Sequence, residues 1–101
     1  MRMLMHLQFP LEPFNKFVKD GSVGQKIQKI LEAIKPEAAY FTEHDGHRGG
    51  TLVVNLKDVS EVPLFAEPWF LTFHAIVEFR VAMTPEDLAR ANLDALGKKW
   101  A

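Results

Sequence analysis

Phe73-His74-Ala75-Ile76-Val77-Glu78-Phe79-Arg80-Val81 alternates from one residue to the next. Phe73, Ala75, Val77, Phe79 and Val81 share one face of an extended chain, and His74, Ile76, Glu78 and Arg80 share the other. Successive side chains of a strand point to opposite faces, so this period of two predicts a half-buried β-strand. On its N-terminal side, Glu67-Pro68-Trp69-Phe70 reads as a corner that turns the chain into this strand. Before the corner, Asp58 or Ser60 can cap a short helix with Glu61 in its first turn, Pro63 near its start and Pro68 beyond its end.

Further out, Thr51 to Leu56 and Ala38 to Thr42 read as strands. Asp45-Gly46 lies between them, and both positions suit the positive φ of a tight hairpin turn. Gly49 and Gly50 allow a bulge or a close backbone approach. Ile27, Ile30, Leu31 and Ile34 form an apolar helical stripe that ends at Lys35-Pro36. Gly21-Ser22-Val23-Gly24 separates this helix from Phe14, Phe17 and Val18, which are also at helical spacing. At the start of the chain, Met3, Met5, Leu7 and Phe9 face one way from a strand, while Leu4, His6 and Gln8 face the other. After the opening stretch, Thr84-Pro85-Glu86-Asp87 predicts a helix start, Leu88, Ala89, Leu93 and Leu96 its apolar stripe, and Gly97 its stop.

Strand, helix, strand, hairpin, strand, helix, strand and tail helix is the order of the split β-α-β arrangement. The expected fold is α+β and ferredoxin-like: a four-stranded antiparallel sheet with helices on one face, forming a single domain over residues 1–101. The first and third strands are expected at the centre, with the fourth beside the first.

Composition narrows the function. A net charge of -1 over 101 residues argues against non-specific nucleic-acid binding, which needs a basic face. RNA recognition by such a sheet needs aromatic residues on its central strands, and Thr51 to Leu56 has none. Without cysteine there is no thiolate nucleophile, disulfide or Cys-ligated metal. No segment approaches the ~18 apolar residues of a membrane span. His6 and Gln8 interrupt the apolar stretch after Arg2, and no cleavage site follows Pro10, so a cytoplasmic protein is expected. Phosphate loop, dinucleotide fingerprint and nucleophile elbow are all missing from the sequence, and no cofactor is expected.

Helices cover one sheet face only. Leu4, Ile76, Tyr40 and Val53 belong to the other, and the chain holds further large apolar residues in Trp69, Phe70, Phe73 and Trp100. Such a surplus predicts an interface, and packing two sheets across a twofold axis satisfies it. Gly50-Thr51-Leu52-Val53-Val54-Asn55-Leu56-Lys57-Asp58, then Val62-Pro63-Leu64-Phe65, then His74 to Val81 resembles the dimeric α+β barrel superfamily, which includes muconolactone isomerases and small cofactor-independent monooxygenases. The resemblance covers roughly residues 1–83 and rests on pattern. It implies a homodimer with a pocket for a small organic ligand between sheet and helices. No catalytic motif of those enzymes aligns residue by residue.

Candidate site residues follow from the uncovered face. His6, His74 and Glu78 are the acid–base candidates, because a carboxylate beside an imidazole orients it and raises its basicity. Arg80 is the anion anchor, and Tyr40, Asn55 and Trp69 are the remaining substrate-binding candidates. Gln8 and Thr51 can join them. The competing reading makes Glu78 and Arg80 an interface ion pair and the histidines satisfied polar residues. His44 and His47 flank the Asp45-Gly46 turn, where an exposed tip is expected rather than a metal site. Two functions follow: a cofactor-independent isomerase or monooxygenase acting on a small organic acid, or a non-catalytic ligand-binding or stress-associated barrel.

Overall fold

The computed structural model describes residues 1–101. Four strands, β1 (Arg2–Phe9), β2 (Ala38–His44), β3 (His47–Asn55) and β4 (Ile76–Val81), form one antiparallel sheet in the order β2-β3-β1-β4. Helices α1 (Leu11–Asp20) and α2 (Val23–Ile34) connect β1 to β2, and α3 (Val62–Phe73) connects β3 to β4. This is the ferredoxin-like α+β fold expected from the element order, with β1 and β3 central.

Alternation along the central strands makes the core. Met3, Met5, Leu7 and Phe9 of β1 and Leu52 and Val54 of β3 are buried against α2 and α3. Their neighbours Leu4, His6, Gln8, Thr51 and Val53 remain only partly covered, because no element lies over the opposite face. Phe9, Trp69 and Phe73 pack with ring centroids 5.2–6.1 Å apart and fill the space between sheet and helices. The space between sheet and helices, where the family resemblance implied a pocket, is therefore solid core.

Besides longer strands β2 and β3, three differences from the sequence reading bear on the site and the tail. The corner expected at Glu67-Pro68-Trp69-Phe70 lies inside α3, which runs through Pro68 to Phe73. Phe65, Trp69 and Phe73 recur every four residues and are all buried, so one continuous apolar stripe outweighs the hydrogen bond that Pro68 cannot donate. The last strand consequently starts at Ile76 rather than Phe73. His74 caps α3 in the left-handed region at φ 56°, its N–H donating to the Phe70 carbonyl. Finally, the tail is two helices, α4 (Pro85–Arg90) and α5 (Leu93–Lys99), with left-handed Asn92 between them. Asn92 Oδ1 accepts from Ala95 N–H and starts a new helix, which then continues through Gly97.

The β2–β3 hairpin turns at Asp45 and Gly46, both at positive φ, as their identities predict. Gly49 and Gly50 then allow close strand packing. A Cβ on Gly49 would stand 2.5 Å from the Leu7 carbonyl oxygen, and one on Gly50 would stand 2.9 Å from both the Tyr40 carbonyl oxygen and the Phe41 ring. These two positions fix how closely β1 and β2 can lie on either side of β3.

Gly49→Ala should therefore lower the unfolding free energy by about 1–3 kcal/mol, the usual scale for overpacking. Gly24→Ala, in α2 with open space around it, should be neutral or raise stability by up to ~1 kcal/mol. Urea denaturation of the two variants measures the contrast, and equal midpoints would contradict it.

Candidate functional site

Cross-strand register decides which polar side chains meet. His6 pairs with Thr51 on β3 and with Glu78 on β4, and Thr51 pairs with Tyr40 on β2. Tyr40, Thr51, His6 and Glu78 thus form one row across the whole uncovered face. The next row toward the hairpin is Thr42, Gly49, Gln8 and Ile76. An open cleft of about 350 Å³ lies over the β1–β4 side of these two rows. His6, Gln8, His44, Thr51, Ile76, Glu78 and Arg80 line the cleft.

His6 is the best-anchored of these. Its Nδ1 lies 3.1 Å from Thr51 Oγ1, across a strand pair whose backbone spacing is fixed. That bond turns the other ring nitrogen, Nε2, away from Thr51. Glu78 stands opposite His6 but pairs with Arg80, Oε2 to Nη2 at 3.7 Å. It does not bond the imidazole. At 3.7 Å the ion pair is longer than a hydrogen bond and both groups are well exposed, so the Arg80 guanidinium keeps free donors for another anion.

The other candidates fall elsewhere. Tyr40 is in the row but on the edge strand, beyond the cleft lining and largely exposed. His74, as the cap of α3, lies just before the start of β4. With Gln8, Pro10, His47 and Ile76 it lines a separate hollow of about 150 Å³, so His6 and His74 do not share one cleft. Asn55 is at the opposite end of the sheet, where its Oδ1 accepts from the Met1 amine at 3.0 Å. Trp69 is wholly buried among Phe9 and Phe73 on the helix side, which corrects its assignment as a substrate-binding residue. It became core because its helix did not end at Pro68.

Sequence reading placed His44 at an exposed hairpin tip and missed its position in the cleft wall. Extending the alternation of Tyr40 and Thr42 by one more step places it on the uncovered face, and β2 does run that far. Its Nε2 lies 3.6 Å from Asp45 Oδ2. His47 is directly opposite it in register, yet no three side chains of ligand type converge to hold a metal ion. All four histidines, His6, His44, His47 and His74, line the two hollows of this one face.

No family model matches the chain, and neither does any curated protein. Among solved structures it is similar to 5-chloro-2-hydroxyhydroquinone dehydrochlorinase from Burkholderia phenoliruptrix, determined in complex with 2,5-dihydroxybenzoquinone. The match has a TM-score of 0.56 and 19% identity, and covers 86% of this chain and 99% of that one. At this identity the likeness is one of fold. No helix is long and apolar enough to cross a membrane.

Thr51→Val removes the hydroxyl that anchors the imidazole and little else. The ring resonances of His6 should shift and its side chain should gain rotamer freedom, with a stability loss of about 1 kcal/mol. Imidazole NMR reads the effect, and an unchanged His6 signal would contradict the bond.

Proposed function

We propose that the cleft binds a small, planar organic acid and that the protein is a cofactor-independent enzyme of the proton-transferring, isomerase type, working in the cytoplasm as a sheet-to-sheet homodimer. One observation carries the reading: an imidazole held by a neighbouring strand, beside a guanidinium with unused donors, in an open hollow. With the imidazole proton placed on Nδ1, Thr51 Oγ1 accepts from it, and Nε2, turned away from Thr51, is the basic nitrogen. Arg80 holds the anionic oxygen of the ligand by charge-assisted hydrogen bonds. Nε2 then takes a proton from a carbon next to a carbonyl. The electron pair moves into the conjugated system, where Arg80 stabilises the resulting enolate oxygen. Returning the proton to a different carbon completes an isomerisation without oxidant, metal or leaving group.

Glu78 enters in a different role from the one its type suggested. It tempers the charge of Arg80 when the cleft is empty and gives way to the ligand anion when it is filled. Gln8 and His44 supply further hydrogen-bonding groups along the wall. The structural neighbour supports a hydroxylated ring as the ligand class, since the molecule bound in it is a dihydroxybenzoquinone.

Titrating the protein with 2,5-dihydroxybenzoquinone in a calorimeter tests the reading. Saturable binding is expected, weakened at least tenfold in Arg80→Gln, a loss of about 1.4 kcal/mol. His6→Ala should still bind the ring but lose catalysed exchange of ring hydrogens with deuterated solvent. Binding that survives Arg80→Gln unchanged would refute the anion anchor. Arg80-dependent binding with no catalysed exchange would replace the enzyme by the non-catalytic ligand-binding barrel.

A further inference from the structure

α3 is apolar on both of its sides. Phe65, Ala66, Trp69 and Phe73 are buried against the sheet. On the opposite side Leu64, Phe70 and Leu71 face solvent, Leu64 at 61% and Leu71 at 76%, and Glu67 is the one charge of the helix. A helix that is apolar all round is normally covered all round. Beside this exposed ridge runs a groove of about 290 Å³, lined by Lys26, Lys29, Ile30 and Ala33 of α2 and by Pro68 and Thr72 of α3. It opens on the helix layer, with the sheet and the whole core between it and the cleft.

The two ends of the groove differ in chemistry. β1 and β2 run one way and β3 and β4 the other. α2 and α3 each carry the chain back along the sheet, so they are antiparallel. Lys26, near the start of α2, consequently meets the Thr72 end of α3. Ala33, near the end of α2, lies toward Leu64, one turn before Pro68. The Lys26 ammonium is held in place, 4.5 Å from the centroid of the Phe17 ring, and Phe17 packs edge-on against Phe73 at 5.9 Å. No carboxylate neutralises this end. The salt bridges of the chain use Arg2, Arg80, Arg90 and His44 as their cations, and no lysine. Glu32, the one acid of α2, accepts instead from Gln28 Nε2 at 3.1 Å.

We propose that this groove is a second ligand site, built for one amphiphilic anion: an alkyl carboxylate of medium length. Its head group sits between Lys26, Lys29 and Thr72, and its tail lies along Ile30, Ala33 and Pro68. The ammonium groups and the Thr72 hydroxyl donate to the carboxylate oxygens. The lysine stems continue the apolar wall of the tail end. Length agrees, since Lys26 to Ala33 spans about 10 Å of helix. Volume excludes a bulkier occupant, because a peptide helix ~10–12 Å across does not enter a groove of about 290 Å³. The surrounding field is also of the correct sign. Over residues 11–35 five lysines outnumber three acids, although the whole chain carries -1. The proposal makes no use of the cleft, and the two sites stand or fall separately.

Calorimetric titration of the full-length protein with decanoate, kept below its micellar concentration, tests the assignment. One saturable site is expected. Lys26→Gln and Lys29→Gln together should weaken it at least about tenfold, and decanol, the same chain without the charge, should bind the wild type as poorly. Ala33→Trp fills the tail end and leaves both charges in place. It should abolish binding while keeping the wild-type circular dichroism. Arg80→Gln acts on the cleft and should leave the decanoate affinity unchanged. Equal affinity for decanoate and decanol, or wild-type affinity in Ala33→Trp, would overturn the site. Decanoate binding lost in Arg80→Gln and kept in the lysine pair would move the ligand to the cleft. Attachment to phosphatidylglycerol vesicles without a saturable decanoate site would overturn it in favour of a lipid surface on α3.

Discussion

The separation of side chains along β1 is the constraint on which the rest of the molecule depends. Residue parity sends Met3, Met5, Leu7 and Phe9 into the core and leaves Leu4, His6 and Gln8 on the other face. Because β1 lies between β3 and β4, its register sets theirs. A slip of one residue would put His6 against the Phe73 and Trp69 rings and carry Met5 and Leu7 into water. Correct packing and the assembly of the polar row are therefore the same event. His6 reaches Thr51 only because Met5 is paired with Leu52.

Periodicity made the sheet, its order and its two faces legible in the sequence. Asp45-Gly46 marked the hairpin because few residue pairs accept two positive φ angles. Pro68 misled, since a proline inside a helix removes one hydrogen bond while Phe65, Trp69 and Phe73 together remove far more apolar surface from water. That one misreading moved Trp69 from the core to the site and made His74 a strand residue. Local pattern does not weigh a stripe of aromatics against a proline, and only the packed sheet does. Likewise Asn92 gives no sign in its helical surroundings that it will adopt the left-handed region and split the tail in two.

Of the candidate site, parity alone supplied His6, Glu78, Arg80 and the supporting Thr51 and Gln8, since alternation is long-range information for anything in a sheet. Partner choice was not legible. Glu78 is directly opposite His6 and two residues from Arg80 on its own strand, and its side chain takes the ion pair with Arg80. Asn55 shows the limit from the other side. It has the correct parity, but its distance along β3 places it with the Met1 amine rather than with the cleft.

The strand order β2-β3-β1-β4 also governs how the chain emerges during synthesis. β1 is made first, yet both of its neighbours come later: β3 ends at Asn55 and β4 at Val81. At translation rates of roughly 5–20 residues per second, the apolar face of the most central strand waits several seconds for its first partner. The β2–β3 hairpin closes locally in microseconds once it exists, so it offers β1 a ready edge. Until then, helices α1 and α2, which follow β1 directly, are the only cover available for Met3, Met5, Leu7 and Phe9. On the ribosome, the order of elements makes those two helices a temporary shield as well as a wall of the finished core.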